Sequence, residues 1–172
     1  SKCFESKLVV SGQHDHMLQQ VLSCFDLKPE LNLNVMVKGQ TLNQLSSRIF
    51  ALIDEQIERF APDYLIVHGD TTTAAISALA AHYRKVKVIH VEAGLRSGNL
   101  MSPWPEEANR KLISQISDLN FSPTEVARQN LIREGIAENT IFVTGNTVVD
   151  AVRYFSSRLE ISRFMSENVD TQ

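Results

Sequence analysis

At 172 residues the chain has the length of one domain, since domains run to roughly 100–200 residues, and it can bury a core of its own. Its 43% apolar and 22% charged content is that of an ordinary globular domain, which excludes disorder, and no apolar run approaches the length of a membrane span. A net charge of -3 leaves no basic footprint for nucleic acid.

Read in chain order, short apolar runs alternate with longer stretches of helical period. The runs cover residues 8–11, 31–37, 64–68, 86–91, 119–122 and 141–144. Several are β-branched and continuous, as expected of parallel strands buried on both faces. The helical stretches cover 14–25, 41–60, 71–84, 106–116, 124–134 and 146–164. Thr41, Thr71, Ser102 or Pro103, Pro123-Thr124 and Asn146-Thr147 are residue types that open helices. Gly135 stands where a helix should close. The alternation predicts an α/β fold with a doubly wound, mostly parallel sheet. Residues 165–172 turn polar and read as a frayed end or the start of a linker. Doubly wound domains usually place an earlier strand and helix at the sheet centre, so something is expected ahead of the opening strand. The absence of an initiator Met points the same way.

Cys3 and Cys24 form no CxxC and no Cys-His spacing suited to zinc. They read as reduced thiols of a cytoplasmic protein, and the opening residues have no secretory character.

In an open α/β sheet, ligands bind beyond the carboxyl ends of the strands. Those positions hold Ser11-Gly12-Gln13-His14, His68-Gly69-Asp70-Thr71-Thr72-Thr73, Glu92-Ala93-Gly94-Leu95-Arg96 and Gly145-Asn146-Thr147. Asp70 falls at a helix start, where it reads either as a cap or as a carboxylate aimed at a ligand. Glu92 directly follows a strand and is harder to explain by capping. Glu106 and Glu107 open a helix behind Pro103-Trp104-Pro105, and acids there are ordinary dipole partners. Arg110 can bind phosphate or pair with Glu106 one turn back. His14 and His16 flank Asp15 without further metal ligands nearby, so an anion at a helix N-terminus suits them better than a metal. His68, His82 and His90 read as structural, His90 with a satisfied hydrogen bond. GxGxxG, GxxxxGK[ST] and GxSxG are all missing. Carboxylates and arginines converging on one sheet edge point to acid–base chemistry on an anionic ligand.

Taken together, Ser11-Gly12-Gln13-His14-Asp15-His16-Met17-Leu18, Val67-His68-Gly69-Asp70-Thr71-Thr72-Thr73, Val91-Glu92-Ala93-Gly94-Leu95-Arg96, Ser102-Pro103-Trp104-Pro105-Glu106-Glu107-Ala108-Asn109-Arg110, Phe121-Ser122-Pro123-Thr124 and Val143-Thr144-Gly145-Asn146-Thr147-Val148-Val149-Asp150 closely resemble the bacterial non-hydrolysing UDP-N-acetylglucosamine 2-epimerases. The resemblance implies one half of a GT-B-type enzyme: a Rossmann-like N-terminal domain over 1–172 lacking its first strand, with the C-terminal nucleotide-binding domain outside the chain. It implies interconversion of UDP-N-acetylglucosamine and UDP-N-acetylmannosamine by UDP elimination to 2-acetamidoglucal and re-addition. By resemblance Asp70, Glu92 and Glu106 are the catalytic carboxylates, and Gln13, His14, Arg96 and Arg110 bind substrate. It implies a homodimer, with no metal and no nicotinamide cofactor. Asp15, His16 and Gly39 depart from relatives in which those positions serve an allosteric substrate site. Epimerisation of another UDP-acetamido sugar, hydrolysis to free N-acetylmannosamine, and a non-catalytic nucleotide-binding or dimerisation fragment are the alternatives.

Overall fold

A computed structural model describes residues 3–12 and 15–156. In chain order these form β1 (Val9–Val10), α1 (Asp15–Cys24), β2 (Leu31–Asn32), α2 (Leu42–Phe60), β3 (Tyr64–His68), α3 (Thr72–Tyr83), β4 (Lys87–Val91), α4 (Glu106–Ile116), β5 (Leu119–Ser122), α5 (Glu125–Arg133), a 3-10 turn at Glu138–Thr140, β6 (Ile141–Val143) and α6 (Thr147–Ser156). Each apolar run contributes a strand and each helical stretch a helix. The remainder of the stretch at 146–164, the tail at 165–172, and Gln13 and His14 lie outside the described residues.

The second run shortens to two residues. Asn34 adopts the left-handed conformation at φ 48, and the Asn32 side chain accepts its N–H at 3.1 Å. That local bond competes with strand geometry, although Leu33 and Val35 still donate to the carbonyls of Val10 and Ser11 at 2.8 and 2.9 Å.

All strand pairs are parallel, as expected of a Rossmann-like α/β fold, but they fall into two sheets. One holds β1 and β2; the other runs β3-β4-β5-β6. Alternation along each strand sends successive side chains to opposite faces. Val67, Val88, His90, Asn120, Ser122 and Ile141 are buried on the helix-covered face, where α3, α4 and α5 lie against the sheet. The opposite face carries Ile66, 66% exposed, and Phe142, 47% exposed, the latter edge-on to Phe121 at 6.0 Å.

Helix ends follow local chemistry. Thr41 and Gln44 form a reciprocal capping box at the start of α2. Thr71 and Thr124 cap α3 and α5 with their side chains. The expected opening of α4 at Ser102 or Pro103 is corrected: Pro105 occupies the cap and contributes no side-chain bond. After α5 the Ile136 N–H reaches Leu131 O at 3.1 Å and the Gly135 N–H reaches Ile132 O at 3.0 Å. This paired closure uses the positive φ of Gly135, and Ile136 packs beside Leu131.

Leu45, Ile49, Ile53 and Ile57 recur one turn apart and form the buried stripe of α2. It packs on the alanine-rich α3, whose Ala74, Ala75, Ala78 and Ala81 let the two helices approach closely. Gly94 serves a different approach. At φ +91 it lies against α5, and a Cβ there would collide with the Ala127 carbonyl, 2.7 Å from its carbon. Gly135 also has positive φ but faces open space. We expect Gly94→Ala to destabilise the chain by about 3 kcal/mol or more, through collision added to strain. Gly135→Ala should cost only the left-handed penalty of about 1–2 kcal/mol. Urea unfolding midpoints of the two variants check the contrast.

Candidate active site

The site begins at the turn from β3 into α3. Gly69 takes φ +71 and donates its N–H to Val91 O at 3.0 Å. Thr71, not Asp70, caps α3, accepting the Ala74 N–H at 3.1 Å. Asp70 is therefore not the helix cap, and its carboxylate turns toward α4. There Arg110 Nε donates to it at 2.8 Å and Nη2 lies at 2.5 Å. Asn109 Nδ2 donates to the Asp70 carbonyl at 2.8 Å.

Arg110 does not pair with Glu106. Its Nη1 reaches Glu107 at 3.1 Å, one helical turn back on the inward face. Glu107 is fully buried and accepts the N–H groups of Ser97 and Gly98 at 3.0 and 3.1 Å. Burial alone would raise this carboxyl, but those amides and Arg110 outweigh it and hold it below its ordinary value. Sequence reasoning passed over Glu107 as a dipole partner. The signal available was an arginine three residues after an acid in the first turn. Glu106, beside it, is half-buried and forms no side-chain hydrogen bond or ion pair among the described residues.

Glu92 leaves β4 at φ +67, an uncommon conformation outside glycine. Its carboxylate lies 3.4 Å from His68 Nε2 and against Gly69. His68, read from sequence as structural, is 57% exposed at its side chain and faces this carboxylate. The period of the strand carried that signal, because His68 shares the exposed face with Ile66.

Arg96 is committed elsewhere. Its Nε and Nη2 bind Glu134 at 2.7–3.0 Å, Nη1 donates to Leu95 O at 2.8 Å, and Nη2 also reaches Ser114 Oγ at 3.3 Å. The side chain is 7% exposed. Arg96 and, less strongly, Lys111 hold the Glu134 carboxyl below its usual range against the opposing effect of burial. Gln13 and His14 lie outside the described residues.

Asp70, Arg110, Glu107 and Asn109 thus form one cluster, Glu92 and His68 a second beside it, and Arg96 with Glu134 a third under the loop that follows β4. Among the described residues no group of three or more His, Cys, Asp or Glu could hold a metal ion, and no helix is long and apolar enough to cross a membrane. Cys3 and Cys24 are both exposed.

Fold and site define a Rossmann-like α/β domain whose acidic groups meet arginine at the carboxyl edge of a parallel sheet. The family model for UDP-N-acetylglucosamine 2-epimerase matches residues 1–171, and the chain belongs to that family. It is 51% identical over 151 residues to a probable UDP-N-acetylglucosamine 2-epimerase of Ralstonia nicotianae, covering 88% of this chain and 40% of that protein. It is also 51% identical over 149 residues to the UDP-N-acetylglucosamine 2-epimerase of Escherichia coli K12, covering 87% and 40%. Among solved structures, the UDP-GlcNAc 2-epimerase of Neisseria meningitidis bound to UDP-GlcNAc superposes with a TM-score of 0.89 at 44% identity, over 97% of this chain and 46% of that one. The Methanocaldococcus jannaschii enzyme in complex with UDP-GlcNAc and UDP superposes at 0.77 and 39% identity, over 88% and 42%. The chain spans about two fifths of the length of the curated relatives it matches.

Burial lowers His90 from its ordinary 6.5 to about 4, with the Arg96 charge adding to the effect and the bond to Gly69 opposing it. Its contribution to stability is fully present above pH 6.5. It is lost as the pH falls toward 4, because the unfolded chain takes up a proton that the folded chain refuses. A shift of this size corresponds to about 3 kcal/mol. Urea unfolding of the chain between pH 7 and 4 should show that decline, and His90→Gln should remove this component while leaving the carboxylate component in place.

Proposed function

We propose that the full protein interconverts UDP-N-acetylglucosamine and UDP-N-acetylmannosamine. The observation that carries this reading is that Asp70 leaves the turn after β3 against Arg110, while Glu92 and Glu106 begin and end the connection from β4 to α4. Relatives covering nearly all of this chain are named for this activity, and two of the solved neighbours hold UDP-GlcNAc.

The C2 hydrogen of the sugar is not adjacent to a carbonyl, so direct proton removal is difficult. In this reading one carboxylate takes the C2 proton, the C1–O bond to UDP breaks, and a C1=C2 double bond forms. UDP leaves with the bonding pair, giving 2-acetamidoglucal. Re-addition forms the C1–O bond again and returns a proton to C2 from the other face. Two faces require two proton-handling groups, which is why a single carboxylate would not suffice. Arg110, Gln13 and His14 would orient the substrate and its diphosphate. Arg96, engaged by Glu134, would shape the loop after β4.

The domain organisation belongs to the same reading. We place a further strand ahead of residue 1, pairing with the free edge of β3 between the two sheets, and a second nucleotide-binding domain after residue 172. Among the described residues β3 pairs only with β4, and its unpaired edge supports this placement. A homodimer in the cytoplasm completes the proposal.

The test uses the full-length protein with UDP-N-acetylglucosamine in deuterated water, followed by proton NMR. Deuterium at C2 and a growing UDP-N-acetylmannosamine signal are expected. Asp70→Asn, Glu92→Gln and Glu106→Gln should each slow turnover by about 100-fold or more while retaining the fold. Parent-like activity in all three would overturn the catalytic assignment. Turnover of only another UDP-acetamido sugar would move the substrate, and free UDP with N-acetylmannosamine would indicate hydrolysis. The 172-residue chain alone should be inactive.

A further inference from the structure

His90 lies in the middle of β4 with no solvent exposure. Its Nε2 stands 2.8 Å from the Gly69 carbonyl oxygen. A carbonyl oxygen can only accept, so Nε2 carries the proton and Nδ1 is left to accept. Nδ1 in turn lies 3.4 Å from Ser114 Oγ on α4. That hydroxyl accepts from Arg96 Nη2 at 3.3 Å, which frees its own proton for the ring. The bonds therefore run one way, from Arg96 through Ser114 and His90 to Gly69. Asn120, the register partner of His90 on β5, is equally buried but bonds none of these groups.

The end of this chain is the peptide that joins Gly69 to Asp70. Gly69 has φ +71, with no Cβ to restrict it, so its carbonyl needs an external anchor. Asn109 anchors the next carbonyl, that of Asp70, at 2.8 Å. Two consecutive carbonyls are thus held by side chains from different elements, and the carboxylate between those anchors is the one Arg110 grips.

We propose that His90 is a positioning residue: as a neutral Nε2–H donor to the Gly69 carbonyl it fixes the Gly69–Asp70 peptide, and through it the direction of the Asp70 carboxylate. For the catalytic consequence this rests on the reading of Asp70 given above. The deep burial of the ring and its depressed basicity keep it an uncharged donor at neutral pH. His90 itself touches no substrate in this account.

The test compares His90→Met, which fills the volume without a donor, with His90→Gln, whose amide nitrogen can reach the Gly69 carbonyl. Both are made in the full-length protein. His90→Met should lower kcat about 10- to 100-fold, the cost of a small misplacement of a reacting group, with KM within about 3-fold. His90→Gln should recover most of that loss. The Asp70 carboxyl carbon-13 shift should move in the Met variant and return in the Gln variant. This second readout needs no turnover, so it separates failure of the positioning role from failure of the epimerase reading. An unchanged kcat and an unmoved Asp70 signal in His90→Met would overturn the proposal, as would equal losses in two folded variants. If neither variant folds, nitrogen-15 spectra of the unaltered protein decide. A proton on Nε2 coupled to the Gly69 carbonyl supports the proposal, and a bare Nε2 or a charged ring at pH 7 overturns it.

Discussion

The crevice depends on one guanidinium held between two carboxylates. Arg110 binds Asp70 through Nε at 2.8 Å and Glu107 through Nη1 at 3.1 Å. Glu107 is fully buried, and a buried carboxylate costs several kcal/mol unless hydrogen bonds and an opposite charge replace its water. The Ser97 and Gly98 amides and Arg110 are those replacements. The same contacts tie the loop after β4 to α4, while Arg110 ties α4 to the turn after β3. The burial penalty is therefore offset by interactions that also fix the relative positions of three segments. An apolar residue at 107 could fill the space, but it would leave Arg110 with one partner and the Ser97 and Gly98 amides with none.

Parallel pairing does the rest of the assembly. His68 stands opposite Val91 in the β3–β4 register. The residues that follow each strand, Gly69-Asp70 and Glu92, must then emerge side by side. A slip of one residue would turn every strand side chain to the other face, taking Val67, Val88 and His90 out of the helix-covered layer. The buried stripe of α2 and the small residues of α3 hold that layer closed, so the core and the site share one register. The contact between Glu92 and His68 is a product of that register rather than of any local motif.

Period and punctuation made the elements legible. Short runs, several of them β-branched and continuous, with Thr, Pro and Gly at their ends, located β3 to β6 and the helices between them to within a residue or so. The run at 31–37 misled because period alone carries no sign of the Asn32 side chain accepting the backbone N–H two residues on. At the site, position on the carboxyl edge singled out Asp70 and Glu92. It could not tell which of Glu106 and Glu107 turns inward, because adjacent helical residues differ by about 100° and either could face the loop. Nor could it show that Arg96 meets Glu134, a contact 38 residues apart in sequence. Such pairings are decided by the packing of α4 and α5 on the sheet. His68, read as structural, stands on the open face of β3, and period alone does not tell which face of a strand the helices cover.

Asp70, Glu92 and Glu106 are held in different ways. Asp70 is fixed by Arg110 at its side chain and, at the backbone, by His90 through the Gly69 carbonyl and by Asn109 through its own. Glu92 is aimed by its own backbone, in a left-handed conformation that costs about 1–3 kcal/mol for a residue with a side chain, and its carboxylate lies 3.4 Å from Nε2 of the exposed His68. Glu106 sits at the start of α4 with no side-chain partner among the described residues. Asp70 follows β3 while Glu92 and Glu106 bound the connection from β4 to α4, so one carboxylate is clamped, one is held by backbone strain and one stands without a side-chain partner among the described residues, all on the same scaffold.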